Sequence, residues 1–428
     1  MSIKTILENL FGRVMKNGKR IPGSRVMVFG TRIFFDEFLL PEDIIICTDY
    51  ADFLSLRRRS KYKHIEYIPE SRIKELVAKL EGENSAEEWE KLYNYIERKY
   101  GVRKFDLTVM NPPYGGKGDP LYMEITKVLY DCMSENGTIK SINPTTVMDN
   151  TYGEASDYSA SLIKKYGGLK VEDVVYDDSY RMSFGNATIN SGLGIFTYSK
   201  RSSHTLFDDY IREKRFGKHN WTMRKNIVEK SLSSMKRISG DEDMGIEGIS
   251  SFKGIVISEP KPRGKEIARI QNEIGNDKHI VVMPFIAGSV NKKTGNHNFD
   301  WCSVQTKRCL SIQRTLENIA QFFITCDSKG DAINLIKWLN TDFIQYIVSH
   351  YKKNVTNSVV LFKLLPQPPA IDGNYSDEVL MKHFNLTREE MDWIHSEMKD
   401  FGWKVCKDLK LKNKTEAELM AYIDEINK

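Results

Sequence analysis

The stretch Phe105-Asp106-Leu107-Thr108-Val109-Met110-Asn111-Pro112-Pro113-Tyr114 constrains the fold more than any other. Leu107 to Met110 reads as a short buried strand. It stops at two consecutive prolines, which offer no N–H donors and hold the preceding backbone extended, so neither ladder nor helix continues through them. An asparagine and a tyrosine are thereby held at the carboxyl end of a strand, where ligands bind in open α/β sheets. Gly115, Gly116 and Gly118 follow, and then Leu121, Ile125, Val128, Leu129 and Cys132 recur at helical spacing. Strand, stiff corner, glycine loop and helix make a βα unit with a candidate site at its top. The Asn111 amide oxygen can accept one hydrogen of a planar amine, and the Pro112 carbonyl the other. Both bonds return lone-pair density to a nitrogen that is otherwise delocalised and poorly nucleophilic. The Tyr114 ring offers a face on which a base can stack. For these four residues alone, an ordinary Pro-rich turn is the plain alternative.

With its Phe-Asp-apolar lead-in, this Asn-Pro-Pro-Tyr corner resembles the hallmark of the N6-adenine-specific DNA methyltransferases, in particular the long bacterial modification and combined restriction–modification methylases. The resemblance implies an α/β fold: a Rossmann-like S-adenosylmethionine-dependent methyltransferase domain (1–200), a mixed α+β DNA-recognition domain (201–370) and a small helical tail (371–428). It implies Asn111, Pro112, Pro113 and Tyr114 as the catalytic set, S-adenosylmethionine as cofactor and a flipped-out adenine of double-stranded DNA as substrate. It leaves room for a cognate restriction enzyme as a further partner. No metal is implied.

Upstream, Arg25 to Gly30 reads as a strand ending in glycine, followed by an apolar, helix-like run through Phe38 and Leu39. Asp43 to Asp49 reads as a second buried strand ending in an acid. The interval from Gly30 to Asp49 is about the 20 residues expected between a glycine turn and an acid that binds a ribose. Within the resemblance, Phe29, Gly30 and Asp49 become cofactor-binding candidates. Asp52-Phe53-Leu54 is similar to the family's acid-Phe-Leu element against the cofactor adenine, which adds Asp52. The match has a departure: Arg32 stands where the family carries a second glycine, and Met27 lacks an acid or Asn nearby. A glycine there lets backbone approach the cofactor closely, and an arginine crowds that approach. A rebuilt or impaired pocket is therefore the competing expectation.

A chain of 428 residues suits two or three domains. Its net charge of +5 suits a nucleic-acid partner without demanding one. None of its six cysteines forms a close CxxC pair, which fits reduced thiols in a cytoplasmic protein. No apolar run approaches the roughly 20 residues that span a membrane.

Arg57-Arg58-Arg59 with Lys61 and Lys63 is a basic cluster, either a phosphate-facing patch or a solvated face. Residues 72–81 suggest a helix, and Ser85 begins another through a capping box to Glu88, with Trp89, Leu92, Ile96 and Tyr100 at helical spacing. Gly137 to Pro144 is the strand after the site helix, ending in a second Asn-Pro. Strands around Val171 to Tyr176 and Gly194 to Tyr198 close the sheet. Arg201 to Arg237 holds ten Lys or Arg against four Asp or Glu, interleaved with Tyr210, Phe216 and Trp221. That pattern suits a phosphate backbone, or equally a pair of surface helices. Residues 320–369 resemble the segment after target recognition in the long methylases, with a helix over Ala332 to Phe343 and a closing strand at Leu364-Leu365-Pro366. Thr387 with Glu390, and Thr415 with Glu418, are further capping boxes.

Two rival functions stay open. Asn-Pro-Pro-Tyr also serves enzymes that methylate guanine N2 in ribosomal RNA or a glutamine amide in a release factor. A DNA-binding relative with an impaired cofactor loop at Arg32 is the other.

Overall fold

Seven apolar runs pair into one sheet: β1 (Met27–Gly30), β2 (Ile44–Cys47), β3 (His64–Tyr67), β4 (Phe105–Asn111), β5 (Met133–Pro144), β6 (Val171–Asp177) and β7 (Leu193–Tyr198). Their order across the sheet is β3-β2-β1-β4-β5-β7-β6. The five strands β1 to β5 are parallel, whereas β7 runs antiparallel to both β5 and β6. The computed structural model describes residues 3–30, 38–59, 61–114, 120–145, 157–177, 193–233, 236–237, 247–248, 253–256, 279–284, 289–290, 297–298, 309–311, 321–326, 328–339, 341–351, 361, 364–369, 373–400, 417–418 and 421.

Both faces of the sheet are covered, as buried parallel strands require. Successive strand residues point to opposite faces. Val28, Ile45 and Val109 therefore pack with Ile6, Leu7 and Leu10 of α1 (Ile3–Phe11) and Leu56 of α2 (Tyr50–Arg57). Met27, Phe29, Ile46 and Met110 pack with α3 (Glu70–Leu80), α4 (Ser85–Tyr100) and α5 (Leu121–Asp131). This is a doubly wound, Rossmann-like layer structure, as the sequence pattern implies. The face read for α5 is the buried one, with Leu121, Ile125 and Leu129 all in the core. Gly101, left-handed at φ 70°, terminates α4.

Before β1, the chain turns at Asn17 and Gly18, both at positive φ, joining Met15–Lys16 to Lys19–Arg20 as a tight hairpin. Arg20 then reaches a fully buried carboxylate, Asp43. Its two terminal nitrogens donate to the two Asp43 oxygens at 2.9 and 3.0 Å. Asp43 also accepts the backbone N–H of Val26 at 2.9 Å and of Leu40 at 2.8 Å. The residue read as the start of strand β2 is thus a clamp on the entry to both β1 and β2.

The capping box expected at Ser85–Glu88 does not form. Ser85 is already helical, Asn84 precedes it without a side-chain cap, and Glu88 pairs with Lys91 at 2.9 Å. The box at Thr387–Glu390 does form: Thr387 N–H donates to Glu390 Oε2 at 2.8 Å and Glu390 N–H to Thr387 Oγ1 at 3.2 Å. Thr415 lies outside the described residues.

The chain divides into two compact units, residues 1–150, 161–217 and 292–295, and residues 151–160, 218–291 and 296–428. The second holds α8 (Lys218–Leu232), which follows α7 (Asp209–Phe216) of the first. It also holds an antiparallel sheet of β8 (Lys253–Val256), β9 (His279–Pro284), β10 (Cys309–Ser311) and β11 (Gln321–Cys326), in the order β8-β11-β9-β10. Four helices follow: α9 (Lys329–Leu339), α10 (Asp342–Tyr351), α11 (Asp377–Phe384) and α12 (Arg388–Asp400). Leu364-Leu365-Pro366 makes a single bridge to Arg237 rather than the expected strand, because the Pro366 carbonyl is taken by the Trp338 indole at 2.9 Å.

His395 of α12 ties three of these helices together. Its Nδ1 lies 2.8 Å from Asp342, and its Nε2 lies 3.1 Å from both oxygens of Asp377. Only the imidazolium can donate to both partners. The Asp342 hydrogen bond first, then Asp377, raises its pKa above the ordinary 6.5. A raised folded pKa means stabilisation that is complete below the unfolded value and lost as pH rises through the folded one. The unfolding temperature of wild type is therefore expected to fall more than that of His395→Asn as pH climbs above 6.5. Parallel pH profiles for the two proteins would remove His395 from this role.

Candidate functional site

Strand order reverses between β1 and β4. The chain steps outward from β1 through β2 to β3, then returns to β4 and proceeds the other way. The crevice outside the carboxyl ends of those two strands is the switch point at which such sheets bind ligands. Register sets Met27, Val28, Phe29 and Gly30 beside Thr108, Val109, Met110 and Asn111. Gly30 and Asn111, singled out on separate grounds in the sequence, are therefore direct neighbours at the two strand ends.

Gly30 has φ 115°, and a Cβ there would lie 1.8 Å from the Asn111 carbonyl oxygen. The close approach this glycine permits is that of the neighbouring strand. Gly30→Ala is expected to cost at least about 1–3 kcal/mol through backbone strain alone, and to displace the corner at Asn111. A thermal unfolding midpoint equal to that of wild type would contradict this.

Asn111, Pro113 and Tyr114 are half-buried, and Pro112 is buried. The Tyr114 hydroxyl donates to Asn111 Oδ1 at 3.2 Å. Its ring meets Tyr122 of α5 edge-on, with centroids 5.9 Å apart and planes at 83°. Burial, and then Tyr122, push the Tyr114 pKa above its ordinary 10, so the phenol keeps its proton as a donor. The two prolines thus hold an amide and a phenol in mutual contact on one edge of the sheet. The second Asn-Pro has a different part. Asn143 is fully buried, accepting from Ser141 at 2.7 Å and donating to the Tyr198 hydroxyl at 2.9 Å, so it links β5 to β7 inside the core.

The cofactor candidates divide. The Phe29 side chain turns into the α3–α5 face, where with Met27, Val77, Ile125 and Leu129 it lines an apolar cavity of about 100 Å³. Only its backbone reaches the strand end. Asp49 follows β2 and caps α2, its Oδ1 accepting the N–H groups of Ala51 at 2.9 Å and Asp52 at 3.0 Å. Asp52 lies in the first turn of the same helix. Burial first, then these two carboxylates, push the Cys47 thiol up to about 12. Arg32 and the glycine loop 115–119, with Lys117 and Asp119, lie outside the described residues.

One feature escaped the sequence reading. Tyr50, Phe53 and Tyr67 form a ring cluster at the carboxyl edge, with Tyr50 at 5.2 Å from Tyr67 and 6.0 Å from Phe53. Tyr50 is 54% exposed and Tyr67 37%.

No family model matches the chain, and no curated protein does. Among solved structures, the type IIG restriction endonuclease BpuSI aligns over 100% of this chain and 66% of its own, with 10% identity and a TM-score of 0.32. The N-methyltransferase NodS from Bradyrhizobium japonicum aligns over 46% of this chain and 92% of its own, at 8% identity and a TM-score of 0.25. TrmN from Thermus thermophilus aligns over 46% and 48%, at 12% and 0.23. The fold rests on strand order and register rather than on these scores.

The basic run from Arg201 to Arg237 is spent largely inside the protein. Lys214 pairs with Asp173, Arg224 with Glu397 and Lys230 with Glu390. Trp221 is buried and stacks on His350, while Tyr210 stacks on His204 at 3.9 Å. Packed helices, not a phosphate-facing surface, describe this stretch. Among the described residues no cluster of His, Cys, Asp or Glu could hold a metal ion, and no helix is long and apolar enough to cross a membrane.

Proposed function

We propose that the chain is a site-specific DNA methyltransferase that moves a methyl group from S-adenosylmethionine to N6 of an adenine turned out of the duplex. The observation that carries this reading is the pairing of Gly30 with Asn111 at the strand-order switch, with Tyr114 bonded to the Asn111 amide. The residues present fit the cofactor: a strand end without a side chain at Gly30, and the carboxylates Asp49 and Asp52 after β2 to take hydroxyl or amine donors. When bound, S-adenosylmethionine supplies a methyl group made electrophilic by its sulfonium.

The chain's own residues do the rest. Asn111 Oδ1 and the Pro112 carbonyl accept the two amine hydrogens and concentrate the nitrogen lone pair. An amide oxygen accepts up to two hydrogen bonds, so the incoming amine shares Oδ1 with the Tyr114 hydroxyl or displaces it. Tyr114 stacks on the everted base and offsets part of the few kcal/mol that unstacking costs. Catalysis is then mostly orientation and polarisation.

Incubation with tritium-labelled S-adenosylmethionine and duplex DNA is expected to leave label in N6-methyladenine after hydrolysis. Label in ribosomal RNA or protein alone would reassign the substrate. The Arg32 departure favours a second reading, a DNA-binding relative that does not use the cofactor. Calorimetric titration with S-adenosylmethionine decides between the two.

A further inference from the structure

The α2–β3 corner carries an exposed aromatic and basic surface that the methyl-transfer chemistry leaves unused. The rings of Tyr50, Phe53 and Tyr67 lie within 5.2 to 6.0 Å of one another. Arg57, at the end of the same helix, holds its guanidinium 5.6 Å from the Phe53 ring centroid. Arg57, Arg58, Arg59, Lys61 and Lys63 are all exposed. Five basic side chains thus continue from the rings, against two carboxylates, Asp49 and Asp52, at the opposite end of α2. Exposed rings grouped together cost apolar exposure that a merely solvated helix end avoids. Guanidiniums alone suit any phosphate backbone. Rings with open faces suit only bases whose own faces are open, which a stacked duplex does not offer.

We propose that this surface docks single-stranded DNA, with bases on Tyr50 and Tyr67 and phosphates on Arg57, Arg58 and Arg59. The choice of DNA rests on the methyltransferase reading; the docking chemistry stands apart from it. β3 is the edge strand of the sheet, and its carboxyl end shares the edge that carries Asn111. Two strands separate β3 from β4, which at about 4.8 Å per step sets the surface roughly 15 Å along that edge from the corner. DNA opened at the corner can therefore run on over these rings.

Fluorescence anisotropy of the full chain with a labelled oligothymidylate of about 15 nucleotides tests it. Wild type is expected to bind it more tightly than a blunt duplex of equal length. The variant R57A/R58A/R59A is expected to flatten the slope of log affinity against log salt by roughly 2, three contacts at about 0.7 each. Tyr67→Ala is expected to weaken binding roughly tenfold with the slope unchanged, and Tyr50→Ser serves if Tyr67→Ala unfolds. Unchanged affinity and slope in these variants would overturn the proposal, as would a preference for duplex that Tyr67→Ala does not alter. Loss of S-adenosylmethionine binding in Tyr67→Ala with oligonucleotide binding intact would hand the rings to the cofactor and overturn it too. Oligonucleotide binding through these residues in a protein that transfers no methyl group would sink the proposed activity and leave the docking surface standing.

Discussion

Asn111→Ala is expected to lower the rate of adenine methylation at least about a hundredfold, while the unfolding temperature stays near that of wild type. The side chain is half-buried at the end of β4, and its only contribution to the core is the 3.2 Å bond from Tyr114. Removing it leaves the β1–β4 ladder intact, because Gly30 meets the Asn111 backbone and not its amide. What is lost is an acceptor that polarises the amine only as the lone pair is drawn toward the methyl carbon. Such a loss falls on the chemical step, so single-turnover rates should drop with little change in DNA affinity. Tyr114 separates two contributions. Tyr114→Phe keeps a ring for stacking and loses the hydroxyl that orients Oδ1, whereas Tyr114→Ala loses both. The rate order expected is wild type, then Phe, then Ala. Methyl transfer at the normal rate by Asn111→Ala would remove the corner from the reaction.

What could be read from the sequence depended on distance along the chain. The β4 strand, the proline corner and the α5 face are local patterns of alternation and helical spacing, and all three stand where the pattern puts them. The partners of charged residues are not local. Lys214 finds Asp173, and Lys230 and Arg224 find Glu390 and Glu397 of α12, so a run that reads as a basic surface becomes a set of internal pairs. The ring cluster joins a helix residue to the end of the following strand, and no periodicity links Tyr50 to Tyr67. Two capping boxes with the same spacing part ways for a similar reason. At Thr387 the threonine precedes the helix and its oxygen can meet the N–H of Glu390. At Ser85 the helix has already begun, leaving Glu88 to Lys91.

Asp43→Ala is expected to destabilise the first unit by about 3–5 kcal/mol, the largest single-residue loss in this part of the chain. The pair it breaks has side-chain exposures of 2% for Arg20 and 0% for Asp43, so solvent screens neither charge. The variant leaves a guanidinium buried without its counter-ion and strips acceptors from the N–H groups of Val26 and Leu40. Those two groups mark the entry to β1 and the turn before β2, three residues ahead of Gly30 at one end. The loss should therefore reach the site as well, weakening cofactor binding through a misplaced strand end. The double variant R20M/D43L separates charge burial from the clamp. Replacing both partners by apolar groups removes the stranded charge and is expected to recover much of the single variant's loss. If chemical denaturation gave R20M/D43L the same loss as Asp43→Ala, the cost would lie in the backbone acceptors alone and not in the unpaired arginine.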